Sequence, residues 1–293
     1  MEPLALSLTV TPARSQFKKM MGQNNHFLIT ILVGLDCVET GQATLSPTFS
    51  TSWSPRSAKT SARRSRDFAI KALLAWAADS LDAYRRHLIT PPGLYLTASE
   101  CDSVKAQQGL WPRFKCLADL SGAPLAPEKD MVELLVVWRN KVVHTNSRDA
   151  ITGELSRRLL ENQSRIGEKY RDLHIRRAMD AAAHGAAPTF KEITALVSAA
   201  HELVKQVDSA VVARIDLDHY FRSALATYVA ADPAKRTDNI WGRDPVRRRT
   251  SLLQIAQNAG MSTRSGDRTI SSEFINELVT WTPKDARREL SSE

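Results

Sequence analysis

Between Phe190 and Val211, the apolar residues Phe190, Ile193, Val197, Ala200, Val204, Val207 and Val211 recur every three or four positions. At about 100° per residue, that spacing lays one apolar stripe along an α-helix, and other elements must cover it. Thr189-Phe190-Lys191-Glu192 opens the helix as a capping box, with Thr189 as N-cap and Glu192 reaching back to it. A helix this regular is the expected last long member of an antiparallel helical bundle. Composition points the same way. Only 12 glycines in 293 residues, beside long stretches rich in Ala, Leu, Arg and Glu, give a mainly α chain.

Met131 to Asn146 reads MVELLVVWRNKVVHTN and changes character along its length. Pro127-Glu128-Lys129-Asp130 opens this second helix with the acidic residues that suit a helix N-terminus. Met131, Leu135, Trp138 and Val142 fall on one stripe that must face a core. Asn140 and His144 lie one turn apart on a different face, with Lys141 beside them. Arg139 lies about 140° from His144 around an ideal helix, at the edge of the apolar stripe. Its long side chain reaches His144 if the helix ends there, and Asn146, Ser147 and Asp149 are end-of-helix residue types. A histidine moves protons near neutral pH, and an arginine holds a phosphate bidentately without losing its charge. Together they can cut a phosphodiester without a metal when the substrate brings its own nucleophile, as RNA does in its 2′-OH. Taken alone, an Arg-x4-His pair is also what a solvated helix end with a stray histidine looks like.

Arg139-Asn140-x-x-x-His144 after a strongly apolar helix resembles the signature of the HEPN superfamily. Its members are all-helical domains in which Arg-x4–6-His marks metal-independent endoribonucleases. They work as dimers with two motifs lining one cleft, and recur in toxin–antitoxin, abortive-infection and antiphage systems. The resemblance implies that Arg139 and His144 are catalytic, that Asn140 supports them, and that no cofactor is used. It also implies RNA as substrate, a homodimer, and a neutralising or activating protein partner. It covers Asp67 to Ala213. One subgroup carries a tyrosine two residues after the histidine; Asn146 stands there in this chain.

The formal net charge of +8 favours an acidic partner, nucleic acid above all. From Ile151 to about Ala183, Arg157, Arg158, Arg165, Lys169, Arg171, Arg176 and Arg177 are set against an apolar side, giving one or two amphipathic helices. With Lys141, residues Arg157, Arg158 and Arg165 are the candidates for guiding an RNA backbone. The interspersed Glu154, Glu161, Glu168 and Asp172 leave an ordinary solvated face as the other reading. A second basic cluster, Arg56, Lys59, Arg63, Arg64 and Arg66, lies in a Ser/Thr/Pro-rich loop or arm from Gly41 to Arg66.

The remaining chain divides into an N-terminal extension (1–66), a bundle (67–213) and a helical C-terminal extension (214–293). The alternation Leu4, Leu6, Leu8, Val10 suggests a short strand, and Phe27 to Leu35 a buried strand or short core helix, with β-branched residues tilting it toward strand. That run is too short to span a bilayer, and with no secretory signal the expected location is cytoplasmic. A helix begins near Ser65 and runs to about Leu88, and Pro91-Pro92-Gly93 ends it. Asp79 and Asp82 on this helix are either carboxylates that orient the motif arginine or histidine, or surface charges. Trp111 opens a helix to about Leu120.

Asp232 to Thr250 reads as a linker, followed by helices at Leu252–Ala259 and Ser272–Trp281. Their spacing is long for a helix-turn-helix. Cys37, Cys101 and Cys116 form no Cys-x-x-Cys pair and read as free thiols in a reducing compartment, and no metal site is expected; Asp216, Asp218 and His219 read as helix surface. Three functions are compatible with these features. They are a metal-independent endoribonuclease, a non-catalytic HEPN-like module that binds RNA, nucleotide or protein, and a DNA-binding regulator acting through residues 251–293.

Overall fold

The computed structural model describes all residues except 1–5, 44–45, 47, 49–52, 91–94, 145–146, 263–267 and 292–293. The fold is mainly α. The described residues form fourteen helices, and their only β pairing is an isolated bridge between Ser7 and Ser262.

Two long helices start the chain. Thr11 caps α1 (Pro12–Glu39), accepting from the Arg14 amide, and Pro12 supplies a preformed first turn. Ser57 caps α2 (Ala58–Ile89) by accepting from the Thr60 amide. They run antiparallel: Phe17, early in α1, packs edge-on against Tyr84, late in α2, while Arg66 near the start of α2 pairs with Asp36 near the end of α1 at 2.6 Å.

Shorter α3 (Ala98–Ala106) and α4 (Leu110–Ser121) lead to α5 (Glu128–Val143). Met131, Val132, Leu134, Leu135 and Trp138 of α5 are buried against α2 and α9 (Phe190–Arg214). The capping box at Thr189 and Glu192 forms as the sequence dictates. The face that α9 buries is centred on Leu196, Leu203 and Val207, so Phe190, the first residue of the expected stripe, stays 45% exposed.

Several expectations are corrected. Phe27 to Leu35 is not strand but helix, continuing α1, and is only partly in the core, with Leu28 buried and Phe27, Ile31 and Val33 exposed. The long pairing with α2 outweighs the weak strand preference of its β-branched residues. Residues 58–66 are helix and not loop, because Ser57 caps them and Arg63 and Arg66 pair with Glu39 and Asp36. The segment 1–66 also reaches the core, through Leu6, Leu8, Phe17, Met21 and Leu28. Its alternating start is confined to the bridge at Ser7, with Leu6 and Leu8 both buried; Leu4 and the Pro91-Pro92-Gly93 stop lie outside the described residues.

Residues 151–183 form three helices, α6 (Gly153–Glu161), α7 (Gln163–Lys169) and α8 (Ile175–Ala183). Arg171 and Asp172, with φ of 53° and 56°, turn the chain between the last two. Asp232 to Thr250 is largely helical, in α11 (Pro233–Trp241) and the start of α12 (Pro245–Asn258), after α10 (Leu217–Ala230). Its two prolines follow capping aspartates, Asp232 and Asp244, and so begin helices. Helices α13 (Ser272–Thr280) and α14 (Pro283–Leu290) complete this part. The Tyr220 hydroxyl, 3.2 Å from that of Tyr95, donates to the Ala259 carbonyl at 2.7 Å. No helix among the described residues is long and apolar enough to cross a membrane.

Candidate functional site at the end of α5

The rotation of α5 about its axis is set by Trp138. Its ring is fully buried, and its indole N–H donates to the Ala186 carbonyl at 2.8 Å. The next residue, Arg139, is therefore held at the border between core and surface, with its side chain 19% exposed. His144 caps the helix in extended conformation (φ −107°, ψ 107°), so the ideal 140° separation no longer applies. Arg139 Nη1 lies 2.8 Å from His144 Nε2 and 3.0 Å from Asn140 Oδ1. The structure thus brings together the three residues that the sequence singled out.

A guanidinium N–H only donates, so in this contact the acceptor is His144 Nε2. Two carboxylates flank the group. Asp79 of α2 lies 3.7 Å from Arg139 Nη2, and the Asn140 amide donates to Asp149. The Arg139 Nε atom is buried without a partner among the described residues. The α5 C-terminus adds the negative end of a helix dipole beneath Arg139.

The basic candidates fare unequally. Lys141 sits half-buried in the last turn of α5. Arg157 is exposed and paired with Glu161 at 2.7 Å, and Arg165 is exposed on α7. Arg158 is engaged within the chain. It spans Asp130 at 2.7 Å, Glu133 at 3.0 Å and Glu154 at 2.5 Å, so its fork is spent on intramolecular carboxylates. Asp130 lies nine residues, or about 14 Å of helix axis, before Arg139, so Arg158 braces the opposite end of α5.

Sequence reasoning missed two buried clusters. Glu128 is fully buried and receives Lys169 Nζ at 2.7 Å and the Tyr170 hydroxyl at 2.8 Å. Burial pushes its carboxyl up, but these two partners hold it below the usual range. Asp208 of α9 is also fully buried, and accepts from the Thr11 amide at 3.1 Å, the Thr11 hydroxyl and the Tyr84 hydroxyl at 3.3 Å. Burial raises its carboxyl above the usual range despite these donors and Arg14. Asp216 caps α10, and Asp218 accepts from Ser271, so both have structural uses. The three cysteines are unpaired, and among the described residues no group of three His, Cys, Asp or Glu is placed to hold a metal.

Comparison with protein-family models, with curated proteins and with solved structures returned no match.

Proposed function

We propose that this chain is a metal-independent endoribonuclease of HEPN type whose reacting groups are Arg139 and His144, with Asn140 in support. The observation that carries the reading is the 2.8 Å contact between Arg139 Nη1 and His144 Nε2 at a helix end, which pairs a phosphate-binding cation with a proton acceptor. An RNA phosphate entering between them takes over the arginine N–H groups and frees the histidine lone pair. His144 Nε2 then removes the proton of the 2′-OH, and the 2′-oxygen attacks phosphorus. The bond to the 5′-oxygen breaks, and that oxygen is protonated from water or from an imidazolium. Arg139 stabilises the charge that builds on the non-bridging oxygens. The products are a 2′,3′-cyclic phosphate and a 5′-hydroxyl.

Lys141, with Arg157 and Arg165 further along the surface, supplies positive charge for the RNA backbone. In this reading the chain acts as a homodimer in the cytoplasm, as a toxin or antiphage effector that a protein partner neutralises or activates.

The test is incubation of labelled RNA in EDTA with wild type, Arg139→Ala and His144→Ala, all checked for fold by circular dichroism. Wild type cuts, and each substitution slows cutting by about 10²–10⁴-fold. Cutting that survives both substitutions overturns the assignment. Intact RNA that nonetheless shifts in a gel makes the chain a binding module instead.

A further inference from the structure

Arg14, Phe17 and Lys18 share one face of α1, because residues three and four apart are neighbours on a helix. Ser198, His201 and Lys205 share one face of α9 for the same reason. The two faces meet around a cavity of about 250 Å³. Phe17 is buried at its wall, and its ring meets the His201 ring edge-on with centroids 5.1 Å apart. That contact fixes an imidazole that is itself only half-buried.

The donors around this cavity are little used. The His201 ring nitrogens, the Ser198 hydroxyl and the Lys18 ammonium have no hydrogen-bond or ion-pair partner among the described residues. Arg14 has one carboxylate within reach, Asp208 at 3.9 Å, and Thr11 and Tyr84 already donate to that carboxylate. Arg158 is the opposite case, with its fork spent on three carboxylates.

The charge has one sign. Arg14, Lys18 and Lys205 line the cavity, and the one carboxylate among the described lining residues is Glu202, 3.6 Å from Lys205. Three cations against one anion leave two positive charges in excess. The imidazole registers that field: burial first, then Lys18 and Arg14, hold His201 below its usual range.

We infer that this cavity is a seat for a doubly charged phosphate group, held by Arg14, Lys18 and Lys205, with Ser198 and His201 donating to it. A phosphate monoester carries about −1.5 to −2 charge near neutral pH and three strong acceptor oxygens. Those match the excess charge and the unused donors. Guanidinium forks and ammonium point charges both hold phosphate, and a neutral imidazole still has one N–H to give. The space is smaller than the roughly 300–1,000 Å³ that encloses a drug-sized ligand. It therefore takes a phosphate head and leaves outside whatever that head is attached to. Free phosphate and the phosphate end of a larger molecule share this chemistry. The seat lies between α1 and α9, away from α5, and does not depend on the Arg139 cluster cutting RNA.

The experiment is equilibrium dialysis of the full chain against radiolabelled inorganic phosphate, at neutral pH and fixed ionic strength. Wild type retains one phosphate per chain. Lys18→Ala and Lys205→Ala each weaken retention about tenfold, the loss of one charge-assisted hydrogen bond, with an unchanged helical circular dichroism spectrum. Lys19→Ala removes the same charge about 100° further round α1 and leaves retention as it was. Displacement of the label by an unlabelled nucleoside 5′-monophosphate assigns the seat to a phosphate carried on a larger molecule. Label that inorganic phosphate displaces and the nucleotide does not assigns it to the free ion. No retention in the millimolar range overturns the inference. So does a loss in Lys19→Ala as large as that in Lys18→Ala, because the attraction is then diffuse charge and not a seat. RNA cleavage does not enter the measurement, so the two readings fail independently.

Discussion

The two ends of α5 use the same residue types to opposite ends. At its start, the carboxylates of Glu128 and Asp130 are buried, and each is met by a cation from another helix, Lys169 and Arg158. At its finish, Arg139, Asn140 and His144 partner mainly one another, beside solvent, with the nearest carboxylate from another helix 3.7 Å away. A buried charge is costly unless a counter-charge meets it, and each carboxylate at the first end has one, although Glu128 Oε2 itself has no hydrogen-bond partner among the described residues. A charge at a border can stay loosely held, ready to exchange partners. The first end is therefore committed to stability, and the second is available for chemistry.

Substitutions at the two ends should separate accordingly. The largest effect belongs to Arg139. Arg139→Lys keeps the charge but loses the planar fork, and is expected to slow RNA cleavage by about 100-fold while the unfolding free energy stays within about 0.5 kcal/mol of wild type. Equal losses of cleavage and stability would erase the contrast. Next comes Arg158→Ala, which strands Asp130 and Glu133. It should lower unfolding free energy by about 2 kcal/mol, yet leave cleavage per folded molecule unchanged; loss of RNA binding alone, with full stability, would restore Arg158 as an RNA contact.

Asp208 gives a smaller and pH-dependent effect. Its folded carboxyl titrates above the usual range because of burial, so the folded state holds that proton more tightly than the unfolded chain. The contribution favours folding most at low pH and is lost as pH rises through the folded value. Asp208→Asn should flatten that decline in urea titrations run from acid toward neutral. The smallest effect is expected at Asp79, whose side chain is 56% exposed. Asp79→Asn should change cleavage only a few-fold, in line with the modest strength of an exposed pair. A hundredfold change would make it part of the chemistry.

The legible parts of this fold were those that local rules specify. The α9 capping box and its spacing, the acidic start and apolar stripe of α5, and the helix beginning near Trp111 all rest on neighbours within one or two turns. What misled was local preference overruled at long range. The β-branched run in α1 is helix because α2 lies along it, and the prolines at 233 and 245 start helices because an aspartate precedes each.

At the candidate site, Arg139, Asn140 and His144 could be named from the motif. Their meeting depends on α5 ending at Val143, where no glycine or proline marks the stop. Asp79 joins them only through the packing of α2 against α5, so in sequence it could not be told from a surface charge. The fate of Arg158 was hidden for the same reason, since two of its three acceptors lie 25 and 28 residues away.

The seat of Thr11 has a consequence for how the chain is made. Its amide and hydroxyl are satisfied by Asp208, 197 residues further on. During synthesis at about 5–20 residues per second, α1 and α2 can pair within seconds of emerging, yet the cap that anchors α1 waits roughly ten seconds or more for its acceptor. Through that interval the hairpin exists without its mooring. Nascent chains arrested before residue 208 should be cut by protease near Thr11, and chains arrested well beyond it should be protected. The ribosome thus delivers the molecule's longest arm well before its fastening.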